Sequence, residues 1–230
     1  MKLKHILFGV VAGLSALTLQ AANPGGYTDG ELELAAPYCP DIAGKYGNMS
    51  DHPSPRAGYW VGLMGPGFWH MHHYCWAMVN LRRAALLPAN KRDFAYGTVL
   101  GDLAYVLENT SPDFIMLPEI FTQIGEVELL RNAVTAASVA FERARRLKPS
   151  YVPAYTSWIE ALIKNKQRDK AMALVREGLS QAPQSKTLLD QYRRLGGEMA
   201  KLPTPVIEVV APTPNAPTSA PAQPASANQQ

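Results

Sequence analysis

The least ordinary stretch of this sequence places three histidines and a cysteine within six positions. Residues 65–76 read Gly-Pro-Gly-Phe-Trp-His-Met-His-His-Tyr-Cys-Trp. Imidazole nitrogens and thiolates are the ligands that zinc prefers, and both also hold haem iron. Metal or haem binding is therefore one chemistry that the stretch could support, with four candidate ligands: His70, His72, His73 and Cys75.

Helical geometry limits such a metal site. Successive residues of an α-helix are about 100° apart, so His70 and His72 point in nearly opposite directions. His70 with His73, and His72 with Cys75, form two separate pairs, whereas a structural zinc ion usually takes four ligands. We therefore prefer a second interpretation, in which these residues pack between the first helix and the glycine- and proline-rich segment, with the imidazoles hydrogen-bonded to backbone carbonyls. The residues of a packed stripe recur at helical spacing: Trp69, His73, Trp76 and Asn80.

Two cysteines remain in the mature chain, Cys39 and Cys75. An even pair in an exported protein predicts a disulfide, because the periplasm is oxidising. A bridge closing a loop of 35 residues would stabilise the fold by about 3 to 4 kcal/mol in the chain-entropy model. Two buried free thiols, or Cys75 as a metal ligand beside His72, are the alternatives.

Motifs of common enzymes are missing from the sequence. It contains no Gly-x-Ser-x-Gly, no Walker or dinucleotide-binding glycine loop and no His-Glu-x-x-His. Its acidic residues follow ordinary helix-surface spacings, such as Asp102 with Glu108 or Glu126 with Glu128. An oxidised Cys75 would be a poor nucleophile. We therefore expect no catalytic residue and no cofactor.

The N-terminus is typical of an exported protein. A basic opening precedes an apolar run from Ile6 to Leu19, and Ala21 supplies a small residue suited to signal peptidase. The run has 14 residues, fewer than the roughly 20 that a membrane-spanning helix needs. We expect residues 1–21 to be a signal peptide and the mature chain to be periplasmic or secreted, without stable membrane insertion.

The charge balance of the mature chain argues against nucleic acid as a partner. The leader contains two of the 22 lysines and arginines and none of the 19 acidic residues, so 20 basic side chains face 19 acidic ones. Charges this evenly balanced produce no positive electrostatic field that would attract nucleic acid or anionic lipid.

Two segments flank the predicted helical domain, which covers residues 67–200. Residues 22–66 carry a glycine or proline every few positions, so we expect an extended segment with one short helix near Glu31 to Ala35. Residues 201–230 are rich in proline, alanine and small polar residues and are predicted to be a disordered tail. Side chains that could anchor the first segment as a cap are Tyr38, Tyr46, Tyr59, Trp60 and Leu63.

The run from Trp69 to Leu87 contains no glycine or proline and prolines follow several of the later runs, so the sequence predicts seven helices in this domain. They are Trp69 to Leu87, Arg92 to Asn109, Pro118 to Leu130, Ala133 to Leu147, Pro153 to Asn165, Arg168 to Gln181, and Lys186 to about Met199.

Residues 118–151 and 152–185 are two versions of one 34-residue pattern. Small residues, large apolar residues and a closing proline return at the same phase in both units. The corresponding pairs are Phe121 and Tyr155, Ile124 and Trp158, Gly125 and Ile159, Ala137 and Ala171, Phe141 and Val175, Ala144 and Gly178, and Pro149 and Pro183. In this period and these positions the chain resembles tetratricopeptide repeat (TPR) proteins. The Tyr-Cys-Pro and His-rich segments are similar to those of exported bacterial TPR proteins of uncharacterised function.

The resemblance implies an all-α fold, a short TPR-like α-solenoid of antiparallel helix pairs. The pair before residue 118 departs from the pattern, because Leu103 and Ile115 occupy the positions of a small residue and a proline. Residues 186–199 would form a capping helix.

TPR proteins bind peptide segments along the surface of their first helices, and the repeat phase indicates which residues would form that surface here. The implied function is a non-catalytic scaffold of the bacterial cell envelope, whose partner is another envelope protein or peptide segment. The alternative is a periplasmic metal- or haem-binding protein that uses the cluster from His70 to Cys75. The implied groove residues are Glu119, Thr122, Glu126, Thr156, Glu160, Lys164 and Arg194.

Overall fold

A computed structural model describes residues 26–44 and 53–198, and every regular element within these ranges is helical. A 3₁₀ turn over Pro66–His70 leads into the first long helix. The α-helices are, in chain order, α1 Asp29–Ala35, α2 Cys39–Ala43, α3 Ala57–Met64, α4 Met71–Ala85, α5 Ala89–Asn109, α6 Leu117–Leu130, α7 Val134–Leu147, α8 Val152–Lys164, α9 Arg168–Gln181 and α10 Lys186–Arg194.

The predicted all-helical class is confirmed, and the long helices pack in consecutive pairs. Helix α4 packs on α5, α6 on α7 and α8 on α9, while α10 contacts both α9 and α8. Most helix ends fall close to the sequence prediction, but α10 ends at Arg194 instead of near Met199. Gly196 adopts a left-handed φ of 86°, and the Gly197 amide donates to the Tyr192 carbonyl at 2.9 Å. The two glycines therefore end the helix early.

The turns that close α6 and α8 have the same backbone conformation. Asn132 and Lys166 occupy the same position in successive repeats, and their φ angles are 61° and 59°. At both turns the amide of the next residue donates at 2.8 Å to the carbonyl of the residue five positions earlier. This Schellman arrangement satisfies carbonyls that a helix end leaves free. The sequence period is thus also a period of the backbone.

Small residues occupy the close contacts between helices, as predicted. The side chains of Ala137, Ala144 and Ala171 have no exposed surface. A Cβ added to Gly178 would lie 3.0 Å from the Leu188 side chain, and one added to Gly125 would lie 2.8 Å from the Phe141 ring. Any larger residue there would therefore push neighbouring helices apart.

At one pair of contacting positions, the two repeats fill the same space with side chains of different sizes. Gly125 and Phe141 pack together in the first repeat. Their counterparts Ile159 and Val175 are both fully buried in the second. A glycine facing a large ring is replaced by two aliphatic residues of intermediate size, which preserves the core density.

The segment before α4 is less extended than predicted. Its described part contains the short helices α1, α2 and α3. Glycines and prolines limit the length of these helices but do not prevent them from forming. Pro40 lies in the first turn of α2, and Gly65 ends α3 with a φ of 72°. Of the expected anchors, Tyr38 is buried and Trp60 is half-buried, whereas Tyr59 and Leu63 are exposed.

The N-terminal segment packs on α4, where α1 and α2 both make contacts. All of the described helices belong to one compact unit, which ends at Gly197. No helix within the described ranges is long and apolar enough to cross a membrane. The predicted signal peptide and tail, as well as Tyr46, lie outside the described residues.

Candidate functional site

Helices α6 and α8 are the first helices of the two sequence repeats, and α10 follows at the same phase; α8 contacts both α6 and α10. Two open depressions interrupt their common surface, which we call the first-helix groove. One, of about 420 Å³, lies between α6 and α8, and the other, of about 290 Å³, lies between α8 and α10. Glu160 lines both of them. The larger depression is lined by Leu129, Leu130, Ala161 and Lys164, and the smaller by Lys186, Asp190 and Arg194.

Predicted groove residues form hydrogen bonds between successive first helices. Ser157 of α8 donates to Glu126 of α6 at 2.6 Å. Gln191 of α10 donates to Glu160 of α8 at 2.7 Å, and Arg194 donates to the same carboxylate. Burial raises the pKa of Glu126, and the Ser157 hydroxyl opposes this shift. These bonds fix the spacing of the three helices.

Sequence reasoning missed the donors of this ladder, although the sequence carried a signal for them. Ser157 and Gln191 are one repeat period apart, and each donates to a glutamate of the preceding helix in this row. Polar residues at a constant phase on otherwise half-buried helix faces indicate a repeated bond. The acceptors Glu126 and Glu160 are separated by the same period.

Thr122 does not belong to the groove surface, so its prediction is wrong. Its side chain is only 1 % exposed, and its hydroxyl donates to the Pro118 carbonyl at 2.7 Å. A hydroxyl satisfied by its own helix is buried at little cost. Its counterpart Thr156 is half-buried and donates to the Pro153 carbonyl at 3.2 Å, while Lys164 is exposed.

Glu119 is half-buried and lies where three elements meet. The Tyr74 hydroxyl of α4 donates to Oε1 at 2.8 Å, Gln123 donates to the same oxygen at 3.2 Å, and the Tyr151 hydroxyl donates to Oε2. Burial, together with this carboxylate, raises the pKa of both tyrosines. Glu119 therefore fastens α6 to its neighbours and does not stand free in the groove.

The histidines pack mainly between α4 and α5, since His70, His72 and His73 all contact the Tyr105 ring, whereas the sequence predicted packing against the glycine- and proline-rich segment. His72 is 3 % exposed, and its Nδ1 donates to the Trp69 carbonyl at 2.9 Å. Burial lowers the pKa of His72 to about 4. The His73 ring stacks on Tyr105 with ring centroids 3.8 Å apart. The predicted packed stripe thus exists, and Asn80 extends it by donating to the Tyr27 hydroxyl at 2.9 Å.

Asp102 was missed as a partner of this cluster. His73 Nδ1 donates to Asp102 Oδ1 at 2.7 Å, so this imidazole binds a carboxylate and not a backbone carbonyl. Burial raises the pKa of Asp102, and His73 opposes the shift. The two residues are 29 positions apart and belong to different helices, so no local pattern connects them.

Cys39 and Cys75 form a disulfide, as predicted, with Cα atoms 5.5 Å apart. Of the two alternatives for Cys75, neither a free thiol nor a thiolate ligand fits this bond. Among residues 26–44 and 53–198, no three His, Cys, Asp or Glu side chains converge so as to hold a metal ion. A disulfide of this kind suits an oxidising environment outside the cytoplasm.

Comparison with known proteins identifies no relative of this chain. No protein family, curated protein or solved structure matches it. The functional assignment consequently depends on the chain's own geometry.

Proposed function

We propose that this protein is an exported, non-catalytic scaffold of TPR type, which binds a segment of another envelope protein in the first-helix groove. The observation that carries the proposal is the pair of open depressions on either side of Glu160. Their walls come from first helices and the turns beside them, the surface along which TPR proteins hold peptides.

The groove offers two kinds of contact to a bound segment. Leu130 is 56 % exposed and, with Ala161, makes the larger depression apolar at its wall. Lys186 and Asp190 bring charges to the smaller depression. A partner segment would place an apolar side chain against Leu130 and a polar group beside α10.

The repeated backbone supports the TPR assignment. Two helix pairs share a turn, a set of small buried residues and a ladder of polar bonds, all with the period of the sequence repeat. Each first helix is therefore held at a fixed distance from the next. A rigid groove costs little entropy when it orders a partner segment.

Location in the periplasm or outside the cell is part of the same proposal. The apolar leader and the disulfide between Cys39 and Cys75 both favour it. A partner would then be another protein of that compartment.

Site-specific photocrosslinking tests the groove. A photoreactive residue at Lys164, introduced into the full chain in the producing bacterium, should give one discrete protein adduct. The matched control is Lys170, which is also an exposed lysine and lies on the second helix α9. Leu130→Glu should reduce the adduct at position 164, because a carboxylate would then line the apolar depression.

Three results would contradict the scaffold function. They are no adduct at position 164, equal yields at positions 164 and 170, and an adduct that Leu130→Glu leaves unchanged. Stoichiometric metal in the untagged protein, lost in a His70→Ala, His73→Ala variant, would instead favour the metal- or haem-binding alternative.

A further inference from the structure

A larger depression lies beside the first-helix groove, on α6 and α7. Its volume is about 950 Å³, and its lining is mainly apolar. We call it the lateral groove. The two grooves share Asn132 and Val134 at the α6–α7 turn. Residues that line only the lateral groove include Phe121, Ile124, Ala136, Val139 and Arg143.

The lateral groove exposes aliphatic side chains to solvent. Val139 is 58 % exposed and Val134 is 37 % exposed, although both belong to a helix whose other face fills the core. Ala136, Val139 and Arg143 follow one another at spacings of three and four residues, so they form an exposed strip on one face of α7, and Val134 stands at the N-terminal end of the helix. From Ala136 to Arg143 the strip extends roughly 10 Å along α7, about two helical turns.

The second repeat provides a comparison within the same chain. At the corresponding positions of that repeat, Val134 is replaced by Arg168 and Ala136 by Lys170. Ala173 takes the place of Val139. The corresponding positions of α9 thus carry two positively charged side chains and one small side chain. Because both helix pairs have one architecture, the apolar strip of α7 is not a requirement of the fold.

The charge at the end of the strip also differs between the repeats. Arg143 and Arg146 line the lateral groove, and no carboxylate is among its described lining residues. The Arg143 guanidinium lies 6.0 Å from the centroid of the Phe121 ring. In the second repeat the counterpart of Arg143 is Glu177, which faces Arg145 at 3.8 Å. Arg146 is paired with Glu142 at 3.4 Å, so the lateral groove is mainly apolar and takes its positive charge at one end from Arg143.

We propose that the lateral groove binds a short amphipathic helix of a partner protein. Its apolar side chains would pack on Ala136 and Val139, and an acidic side chain would pair with Arg143. This is a second docking surface of the proposed scaffold, and it rests on that function but not on the first-helix groove. Charge complementarity selects the partner: a carboxylate pairs with arginine bidentately, whereas a basic or uncharged segment leaves the guanidinium unpaired.

Photocrosslinking of the full chain in the producing bacterium tests this surface. The photoreactive residue replaces Val139, and the matched control replaces Ala173, its counterpart in the second repeat. We expect an adduct at position 139 whose partner segment carries Asp or Glu within one or two helical turns of the crosslinked residue. Thermal unfolding followed by circular dichroism checks that both proteins are folded.

Charge variants make the test specific for an acidic partner. Arg143→Glu should lower the adduct yield by about tenfold, because like charges at an interface repel. Arg143→Lys should retain most of the yield, since the positive charge remains. Equal loss in both variants would show that the charge is not what selects the partner, and the proposal would fall.

Other adducts would also overturn the proposal. An adduct of twice the chain's mass would assign the groove to a second copy, and one within a single chain would assign it to this protein's own residues. A lipid adduct, equal yields at positions 139 and 173, or no adduct would show that the lateral groove does not bind a partner helix. If the adduct at Lys164 persists in any of these cases, the scaffold function stands and the lateral groove alone is excluded.

Discussion

His72 shows how strongly burial alters a single side chain in this protein. The imidazole is almost fully buried, and its pKa of about 4 lies well below the usual 6.5. Burial is the main cause, the neighbouring His73 and His70 add to it, and the bond to the Trp69 carbonyl opposes it. The folded protein therefore keeps His72 neutral under mildly acidic conditions.

This shift predicts a loss of stability on acidification. Between the unfolded pKa of 6.5 and the folded value near 4, the unfolded chain binds more protons, so the free energy of unfolding decreases as the pH falls. Between pH 7.5 and pH 5 the contribution of His72 should be about 2 kcal/mol. Urea unfolding of the wild type and of His72→Gln at both pH values measures it.

The difference between the two proteins isolates His72 from other groups. Asp102 and Glu126 have raised pKa values, so they act in the opposite direction in both proteins. If wild type and His72→Gln lose the same stability between pH 7.5 and pH 5, the assignment of a neutral buried His72 is wrong.

Glycines have opposite roles in two neighbouring helices. Gly101 lies on the exposed face of α5, and a Cβ added there would meet nothing within 4 Å. Gly125 lies on the buried face of α6, where an added Cβ would lie 2.8 Å from the Phe141 ring. In the first helix glycine only adds flexibility to the unfolded chain, whereas in the second it makes room for a neighbour.

One substitution should therefore have opposite effects at these two positions. Gly101→Ala should raise the free energy of unfolding by about 0.5 to 1 kcal/mol, because alanine is the better helix former. Gly125→Ala should lower it by about 1 to 3 kcal/mol, because the added methyl group overpacks the α6–α7 interface. Chemical denaturation of the two variants beside the wild type provides the measurement. A shift of the same sign in both would contradict this account.

On the scale of the whole molecule, a disulfide and a polar cluster both hold α2 in the segment before α4. The disulfide joins Cys39 of α2 to Cys75 of α4. Asp41 is buried and accepts hydrogen bonds from the Ser54 hydroxyl at 2.5 Å and from Trp60 Nε1 at 2.7 Å. The first attaches α2 to the helical body, and the second attaches it to α3.

Removal of the disulfide should destabilise the whole fold. In a Cys39→Ser, Cys75→Ser variant we expect the free energy of unfolding to fall by about 3 to 4 kcal/mol, mainly because the unfolded chain gains freedom. Urea unfolding with and without dithiothreitol is the measurement. The reductant should lower the stability of the wild type and leave the variant unchanged; a variant as stable as the oxidised wild type would show that the bond contributes nothing.

The sequence by itself determined the long helices from α4 onward, their repeat period and the partners of the disulfide, but not α2 and α3. These features depend on neighbours in the chain or on simple counting. Prolines and glycines end helices locally, small residues recur at a fixed phase, and the sequence has a single pair of cysteines. Even the early end of α10 at Gly196-Gly197 has a local cause.

The tertiary structure decided which of those side chains face one another. It buried Thr122, paired His73 with Asp102 and used Glu119 to hold Tyr74 and Tyr151. It also left the strip around Val139 exposed while the equivalent strip of α9 carries charges. Each outcome depends on helices that are distant in sequence and on the angle at which they pack. A helical period fixes the face of a residue but not the neighbour that covers it.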